Sequence, residues 1–491
     1  MVESMVETKP LTLPSSTKAQ PLCVDLDGTL IKTDLLFESL AVLLKRKPLL
    51  LLLVPFWMLR GKAALKSTLA RHVTVNIASL PYHVIFLEWL RTQKRAGRQL
   101  FLVTASDTSL AHRVADHIGL FDQVLASDGQ LNLKGKQKLN VLQKVISGEF
   151  EYAGNSTADL SIWRHCQGAI AVGASQSLLR RIRRTIADVV VFEVPERRWM
   201  RYAAALRIHQ WAKNALVFVP LVTSHQFVQP VLLLKSAICV VLLSLCSSAQ
   251  YILNDLIDLE ADRSHPVKRN RPFAKGELPL VVGFILVPVL FAVSVGAALL
   301  LSKAFALSLV IYFGVALSYS LWIKKAVLLD TFVLAGLYAF RIVMGHLVTG
   351  VAFSLWLLSF AFFLFLSLAL NKRWSELNNL RRRGAPMVTR GYLPTDIDQI
   401  NVFGVCSAFL SAVIFLLYLQ TDTVRSLYQQ PQVLWLLSPV FLYWVTRVWI
   451  LSARGEVSED PILFVLKDRA TVPVVLICGL IMVAATKGWG L

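Results

Sequence analysis

Apolar segments of membrane-spanning length recur from about Ile208 to the end of the chain. The hydrocarbon core of a bilayer requires roughly 20 consecutive apolar residues in a helix, and a soluble domain rarely contains several such runs. A mean hydropathy of +0.57 agrees with a largely membrane-embedded chain. The sequence predicts an all-α integral membrane domain of about nine transmembrane helices, near 209–224, 231–253, 281–301, 304–323, 327–348, 353–370, 401–420, 433–451 and 471–487.

The loops between these segments are alternately basic and nearly neutral. Lysine and arginine collect after the second, fourth, sixth and eighth spans, and basic loops stay on the cytoplasmic side. We therefore expect a multi-pass protein of the inner (plasma) membrane with its C-terminus outside. The first 200 residues have an ordinary soluble composition and no signal peptide, so this N-terminal head should be cytoplasmic. Because topology explains the net charge of +20, nucleic-acid binding is not expected.

Four oxygen-bearing side chains follow the second span: Asn254, Asp255, Asp258 and Asp262. On an uninterrupted helix, with 100° per residue, they project within one quadrant. Three crowded carboxylates repel one another unless a cation lies between them, and hard oxygen ligands favour Mg²⁺. The basic residues that follow, which include Lys268 and Arg271, supply charge suited to a diphosphate. Six cysteines without paired spacing indicate neither a disulfide framework nor a zinc site.

This aspartate motif meets the NDxxDxxxD pattern of the UbiA-type membrane prenyltransferases, which the membrane part of the chain resembles. Within that superfamily, four segments resemble the decaprenyl-phosphate phosphoribosyltransferases, which begin the synthesis of decaprenyl-phospho-arabinose for the cell wall. These segments are 207–221, 254–279, 319–330 and 371–377. The resemblance implies a transferase with catalytic Asp255 and Asp258, Mg²⁺ bound by all four motif residues, phosphoribosyl diphosphate as donor and polyprenyl phosphate as acceptor.

A second aspartate-rich motif, DxxxD, follows the sixth span in the aromatic prenyltransferases of the superfamily. At that place this chain has Asn371, Lys372, Arg373 and Glu376. Cations in place of carboxylates suit a reaction in which both substrates carry phosphate. Alternatively, Lys372 and Arg373 set the membrane topology at a helix end.

Further basic residues are candidates to hold phosphate oxygens. Arg341 lies inside the fifth predicted span, where an unpaired charge is costly. Asp330, at the start of that span, is either the partner of Arg341 or a substrate ligand. The substrate-binding candidates in the membrane part are Lys213, Lys268, Arg271, Lys324, Arg341, Lys372, Arg373 and Glu376.

The head carries Asp25 and Asp27 in a DxDGT motif after a short apolar strand. This motif resembles that of the haloacid dehalogenase-like phosphohydrolases, and the resemblance extends over roughly residues 20–190. It implies a Rossmann-like α/β fold in which Asp25 is the nucleophile and Asp27 the general acid and base.

Three further elements of that family follow in order. Thr104 matches the hydroxyl that holds phosphate, and Lys138 matches the phosphate-neutralising lysine, with Lys134 as the alternative. Asn155 and Asp159 match the last element, although the family usually has an aspartate at the position of Asn155. An amide binds Mg²⁺ with less charge than a carboxylate. The resemblance implies that the metal ligands are Asp25, Asp27, Asn155 and Asp159.

Residues 48–59 of the head form an apolar run that is too short to span a membrane. We expect either a helical cap that rests on the bilayer or a buried cap helix.

The sequence thus predicts four parts: a disordered N-terminus (1–20), a haloacid dehalogenase-like phosphatase domain (21–190), a basic linker (191–207) and a UbiA-type transmembrane transferase domain (208–491). Two chemistries on one chain suggest that the membrane domain transfers phosphoribose to polyprenyl phosphate and the head removes the 5-phosphate. The alternative is transfer of a polyprenyl group to an aromatic acceptor, with a degenerate regulatory head.

Overall fold

The computed structural model describes residues 20–128, 132–186, 188–192, 198–383, 391–456, 464 and 468–486. The predicted disordered segment 1–20 lies outside these residues except for Gln20, as do residues 193–197 of the predicted linker. The chain forms two compact units. The first comprises Met1–Tyr202 and Asp255–Gly283, and the second comprises Ala203–Asn254 and Phe284–Leu491. The segment with Asp255, Asp258 and Asp262 therefore belongs to the unit that contains the head.

The first unit is built on a parallel sheet. Its strands are β1 (Leu22–Val24), β2 (Leu100–Asp107), β3 (Gln123–Ser127), β4 (Glu151–Gly154), β5 (Gly168–Val172) and β6 (Val189–Phe192). They lie in the order β3-β2-β1-β4-β5-β6, and Cys23 at the centre is in register with Phe101 and Tyr152. Parallel sheets need helices on both faces, and this arrangement confirms the predicted α/β class.

The described helices extend over both units. In chain order they are α1 (Leu35–Arg46), α2 (Val54–Leu59), α3 (Lys62–His72), α4 (Val84–Arg95), α5 (Thr108–Ile118), α6 (Lys136–Val145), α7 (Leu160–Trp163), α8 (Gln176–Arg183), α9 (Arg198–Leu206), α10 (Val219–Thr223), α11 (Pro230–Ile257), α12 (Leu259–Ser264), α13 (Leu280–Leu301), α14 (Lys303–Leu321), α15 (Leu329–Thr349), α16 (Leu355–Arg383), α17 (Ile397–Leu419), α18 (Asp422–Leu427), α19 (Leu437–Arg454) and α20 (Thr471–Thr486).

Side-chain alternation along β1 creates a core on each face of the sheet. Leu22 and Val24 join one buried apolar cluster, which includes Leu35 of α1. Cys23 points to the other face, where Trp163 of α7 lies in a second buried cluster. Both faces of the central strand are therefore sealed from water, and the polar motif begins where the strand ends.

The apolar run 48–59 forms a 3-10 helix (Pro48–Leu53) followed by α2, and none of its residues is buried. Leu52, Phe56 and Leu59 are 72%, 64% and 85% exposed. This segment is therefore not a buried cap helix.

In the described part of the chain, seven helices are long and apolar enough to cross a membrane. They are Pro230–Ile257, Leu280–Leu301, Lys303–Leu321, Leu329–Thr349, Leu355–Arg382, Pro394–Leu419 and Pro431–Arg454. They match seven of the predicted spans.

The other two predicted spans are helical but shorter. The span predicted at 209–224 is a 3-10 helix (Ile208–Phe218) that continues into α10, and the span predicted at 471–487 is α20, with 16 residues. A 3-10 helix rises about 2.0 Å per residue, compared with about 1.5 Å in an α-helix. The first short segment therefore covers more of a bilayer than its residue count indicates.

A close helix approach fixes this 3-10 segment within the second unit. A Cβ on Gly345 of α15 would lie 2.3 Å from the carbonyl oxygen of Val217. The absence of a side chain at Gly345 lets the two backbones meet, and it brings the polar face of α15 next to Lys213 and Asn214.

Candidate functional site

The motif residues of the head collect at the carboxyl ends of three neighbouring strands. Asp25 and Asp27 follow β1, Ser106 lies near the end of β2, and Asn155 follows β4. The carboxyl ends of adjacent parallel strands meet at one edge of a sheet, where α/β folds place their sites. Elements that are far apart in sequence are therefore brought together in one cleft.

Asp25 is buried beside a buried lysine. Its Oδ1 accepts a hydrogen bond from Lys138 Nζ at 2.7 Å, and Lys138 also donates to the Tyr152 hydroxyl at 3.0 Å. Lys138, rather than Lys134, makes this ion pair. Burial raises the pKa of Asp25 to about 7, Lys138 opposes the shift and the charge of Asp159 adds to it.

Asp27 accepts hydrogen bonds from two neutral donors, and the charge of Lys66 also acts on it. Oδ1 accepts from the Leu35 amide at 2.9 Å, and Oδ2 accepts from Ser106 Oγ at 2.5 Å. Burial raises the pKa of Asp27 to about 6, and neighbouring Asp34 adds to the shift. Thr104 is fully buried and its hydroxyl accepts from the Ser106 amide at 3.0 Å. The hydroxyl that contacts the motif therefore belongs to Ser106, two residues after the one that the sequence suggested.

Asn155, in the last element of the head motif, lies against Gly28 of the DxDGT motif. Gly28 has a φ of +76°, and a Cβ there would lie 1.9 Å from Nδ2 of Asn155, so only glycine leaves room for this amide. Asp159 is buried, and it accepts bonds from the Ser156 amide at 3.0 Å and the Tyr152 hydroxyl at 3.1 Å. Asn155 therefore lies at the cleft, whereas Asp159 is tied into its own loop.

The aspartate-rich segment is not one continuous helix. α11 ends at Ile257, Asp258 has φ −100° and ψ 13°, and α12 begins at Leu259. The four motif side chains therefore do not share one helix face, contrary to the sequence-based expectation. No basic residue lies in the last turn of α11, and carboxylates at a helix C-terminus oppose the helix dipole. This accounts for the end of the helix within the motif.

Two of the motif carboxylates meet at Arg271. Its guanidinium donates to Asp262 at 2.6 Å and to Asp255 at 3.2 Å. Burial raises the pKa of Asp262 to about 6, Arg271 opposes the shift, and the charges of Asp255 and Asp258 add to it. Asp255 and Asp262 therefore share one guanidinium group.

The donor chemistry of both acidic groups fits Mg²⁺. Each supplies buried carboxylate oxygens whose raised pKa reflects charge that a cation relieves. Over the described ranges, no three His, Cys, Asp or Glu side chains are already grouped as a metal site.

In the second unit, Arg341 of α15 is buried and donates to three neutral groups. It donates to Asn214 Oδ1 at 3.0 Å, to the Tyr312 hydroxyl at 2.9 Å and to the Leu337 carbonyl at 2.6 Å. Its guanidinium also lies 4.9 Å from the ring centre of Tyr338. The described hydrogen bonds of Arg341 do not include Asp330, so the first of the two alternatives for Asp330, a pairing with Arg341, is wrong.

Lys213 lies beside the same tyrosine. Its Nζ donates to the Tyr338 hydroxyl at 3.2 Å, and the residue is 5% exposed. Two buried cations thus contact one aromatic side chain in a region rich in hydroxyl and amide donors.

Arg373 of α16 is bound by two carboxylates. It donates to Asp330 at 2.5 Å and to Glu376 at 2.5 Å, and also to the Tyr319 hydroxyl at 3.0 Å. The Tyr392 hydroxyl donates to Asp330 at 2.5 Å. Asp330 is therefore the partner of Arg373, and the charge of Arg373 is already compensated.

Asn371 lies two residues before Arg373 and is fully buried. Neither its amide oxygen nor its amide nitrogen has a hydrogen-bond partner in the described part of the chain. Buried polar groups are normally hydrogen-bonded. The sequence had given this residue no role, although an asparagine in an apolar helix is a signal for one.

The remaining candidates lie at the ends of membrane helices. Lys268 and Lys324 are partly exposed in the 3-10 turns Lys268–Asn270 and Ile323–Lys325, and Lys372 is half-buried on α16. Asn254 Oδ1 accepts from Gln250 Nε2 at 3.2 Å.

Comparison with known proteins agrees with these two parts. The model of the UbiA prenyltransferase family matches residues 215–468, and that of the haloacid dehalogenase-like hydrolases matches residues 22–164. A protein of Sinorhizobium fredii, described as uncharacterized protein y4nM, is 40% identical over 472 residues, which cover 95% of this chain and 91% of the relative.

The decaprenyl-phosphate phosphoribosyltransferase of Mycobacterium tuberculosis is 32% identical over 206 residues, 41% of this chain and 68% of that enzyme. The solved structure of a UbiA homologue from Archaeoglobus fulgidus, bound to GPP and Mg²⁺, aligns with a TM-score of 0.43 at 15% identity, over 58% of this chain and 98% of that one. The two family models and the sequence relatives confirm both resemblances inferred from the sequence. The chain belongs to the UbiA prenyltransferase family, is homologous to decaprenyl-phosphate phosphoribosyltransferase and carries an N-terminal haloacid dehalogenase-like domain.

Proposed function

We propose that the membrane part transfers phosphoribose from phosphoribosyl diphosphate to a polyprenyl phosphate such as decaprenyl phosphate. The observation that carries the proposal is the buried Arg341, whose described hydrogen bonds all go to neutral acceptors and leave its positive charge for a substrate phosphate. The relative from M. tuberculosis, named for this reaction, supports the same choice.

The acidic segment has a separate task in this proposal. Asn254, Asp255, Asp258 and Asp262 would hold Mg²⁺, which when bound neutralises charge on the diphosphate leaving group. Arg271, already placed between two of these carboxylates, binds diphosphate oxygens.

The acceptor phosphate is already anionic near neutral pH, so its attack on C1 of the ribose needs no strong general base. Lys213 and Arg341 bind and orient that phosphate.

We further propose that the head removes the 5-phosphate from the lipid-linked product. Asp25 attacks the phosphoryl group, and Lys138 stabilises the negative charge that develops. Asp27 is held by Ser106 and the Leu35 amide, and with a pKa of about 6 it can donate a proton to the leaving oxygen and later accept one from water. Asp25, Asp27, Asn155 and Asp159 would hold the Mg²⁺ of this site.

The exposed apolar run 48–59 gives the head a means of reaching a lipid-borne substrate. Its hydrophobic side chains are flanked by exposed basic residues, namely Lys45, Arg46, Lys47, Arg60 and Lys62. Apolar surface bordered by cations favours the interface of an anionic bilayer. We place the protein in the inner membrane with the head on the cytoplasmic side, where the basic loops lie.

A second candidate is transfer of a polyprenyl group to an aromatic acceptor, with a regulatory head. Asp330 and Glu376 favour it because they place two carboxylates near the position of the second aspartate-rich motif. Asn155 favours the regulatory head because it lowers the charge available for a metal.

A paired assay separates the two candidates. Purified protein in nanodiscs with Mg²⁺ receives either labelled phosphoribosyl diphosphate with polyprenyl phosphate, or polyprenyl diphosphate with an aromatic acceptor. We expect labelled lipid only in the first reaction, and its loss in Asp258→Asn. A prenylated aromatic product without use of phosphoribosyl diphosphate would establish the second candidate.

A further inference from the structure

Within the first unit, the segment 255–283 packs against the head, and its contacts include an ion pair, a side-chain hydrogen bond and a close backbone approach. Arg263 of α12 pairs with Glu38 of α1, and Asn76 Nδ2 donates to Glu260 at 2.7 Å. Gly276, with a φ of +74°, approaches so closely that a Cβ would lie 2.7 Å from Cβ of Lys32. The motif-bearing segment is therefore held by the head at three separate points.

The ion pair is the most restrictive of these contacts. Arg263 donates two hydrogen bonds to the Glu38 carboxylate, at 2.6 and 3.1 Å, in a bidentate arrangement. The two side chains are 9% and 4% exposed, respectively. A buried charge is strongly destabilising once its partner is removed, so the pair strongly favours one docked position of the segment.

Each residue of this ion pair is connected to an aspartate motif, Glu38 to that of the head and Arg263 to that of the membrane part. α1, which carries Glu38, begins at Leu35, whose amide donates to Asp27. At the other end, Arg263 directly follows Asp262, and its Nε donates to the Ala274 carbonyl at 3.1 Å, which closes the loop that contains Arg271.

We propose that Glu38 is a positioning residue for the aspartate motif of the transferase. By fixing Arg263, it sets the loop in which Asp262, Asp255 and Arg271 meet. The transferase therefore depends on a docked head, whatever the head itself catalyses. The activity readout of this inference rests on the proposed transferase function, whereas the exchange readout below does not.

The test uses the full chain in nanodiscs. Glu38→Gln removes the charge while keeping the shape, and the double variant Glu38→Arg with Arg263→Glu reverses the pair. Glu88→Gln is the matched control, because Glu88 is an exposed head glutamate paired with Arg91. The two readouts are the Mg²⁺ concentration that gives half-maximal lipid product and the hydrogen–deuterium exchange of peptides within 255–276. Retained protection of the β1 and β2 amides verifies that the head is folded.

We expect Glu38→Gln to raise the half-maximal Mg²⁺ concentration roughly tenfold, as for residues that orient metal ligands, with the KM for polyprenyl phosphate unchanged. Exchange within 255–276 should increase, the reversed pair should restore both readouts in part, and Glu88→Gln should leave both unchanged. Wild-type Mg²⁺ dependence together with wild-type exchange in Glu38→Gln would overturn the inference.

The two proposals fail in different ways. If the wild type forms no lipid product from phosphoribosyl diphosphate, the proposed function fails and the exchange readout decides the inference. Increased exchange within 255–276 in Glu38→Gln then supports the positioning role, and unchanged exchange refutes it.

Discussion

At the residue scale, the two aspartates of the head cleft differ in how their charge is stabilised. Asp25 has a buried lysine as its partner, whereas Asp27 has the hydroxyl of Ser106 and the amide of Leu35. A carboxylate that accepts its hydrogen bonds from neutral donors keeps much of the cost of its burial, and the charge of Lys66 offsets this cost only in part. Asp27 should therefore oppose folding whenever it is ionised and no cation is bound.

This difference predicts a pH-dependent effect of Asp27→Asn. The pKa of Asp27 is about 6 in the folded state, above its usual 3.8, so the folded state binds the proton more tightly than the unfolded state. The contribution of Asp27 to stability therefore falls as the pH rises from about 4 to 6. Without Mg²⁺, we expect Asp27→Asn to raise the free energy of unfolding of the head by about 1–3 kcal/mol at pH 8 and by little at pH 4.

The measurement is hydrogen exchange at the β1 amides in EDTA. Asp116→Asn, on the exposed side of α5, serves as the control and should leave the difference between the two pH values as in the wild type. A loss of stability at pH 8 in Asp27→Asn would contradict the inference that the ionised form of Asp27 destabilises the head.

The buried amide of Asn371 leads to a prediction for the variant Asn371→Leu, in which stability and activity should change differently. Leucine has a similar size and lacks the buried amide, whose oxygen and nitrogen have no hydrogen-bond partner among the described residues. Each unsatisfied buried polar atom costs about 1–3 kcal/mol. Asn371→Leu should therefore unfold no more easily than the wild type, whereas the rate of lipid product formation should fall at least roughly tenfold if substrate satisfies the amide.

Asn378→Leu, on the same helix, is the control. Thermal unfolding and the labelled-lipid assay check both parts, and full activity in Asn371→Leu would exclude a substrate contact.

At the scale of elements, the sequence predicted the membrane helices correctly but failed at the aspartate motif. Apolar run length identified the membrane helices, because a bilayer imposes that length on any helix that crosses it. Helical periodicity placed Asp258 and Asp262 on the face of Asn254, yet α11 ends at Ile257. The crowded carboxylates repel one another and oppose the helix dipole, so the helix ends within the motif.

The exposed apolar run 48–59 gives a prediction at this scale. In the double variant Leu52→Glu with Phe56→Glu, two carboxylates replace apolar side chains that are more than half exposed, so the fold should persist while insertion at the bilayer interface is lost. Removal of phosphate from the lipid-linked product should fall roughly tenfold, with hydrolysis of a soluble phosphate ester unchanged. Ile85→Glu, at an exposed apolar position on α4, is the control. An equal loss on both substrates would indicate damage to the cleft instead of lost membrane contact.

At the scale of the whole molecule, local composition determines the two fold classes, but not the pairing of distant residues. The DxDGT motif and the apolar runs are local signals, and the classes that they predicted are confirmed. The pairs Arg263–Glu38 and Arg373–Asp330 join residues that are 225 and 43 positions apart, and no spacing rule predicts them. For the same reason, the sequence could not place the aspartate segment in the unit with the head.

The central claim is that one chain transfers phosphoribose and then removes its 5-phosphate. The most direct test is the mass of the lipid product formed in nanodiscs from phosphoribosyl diphosphate and polyprenyl phosphate, in the wild type and in Asp25→Asn. We predict polyprenyl-phosphoryl-ribose from the wild type and, from Asp25→Asn, a product heavier by one phosphate group. A product of the same mass from both proteins would contradict the claim, because the head would then take no part in the chemistry.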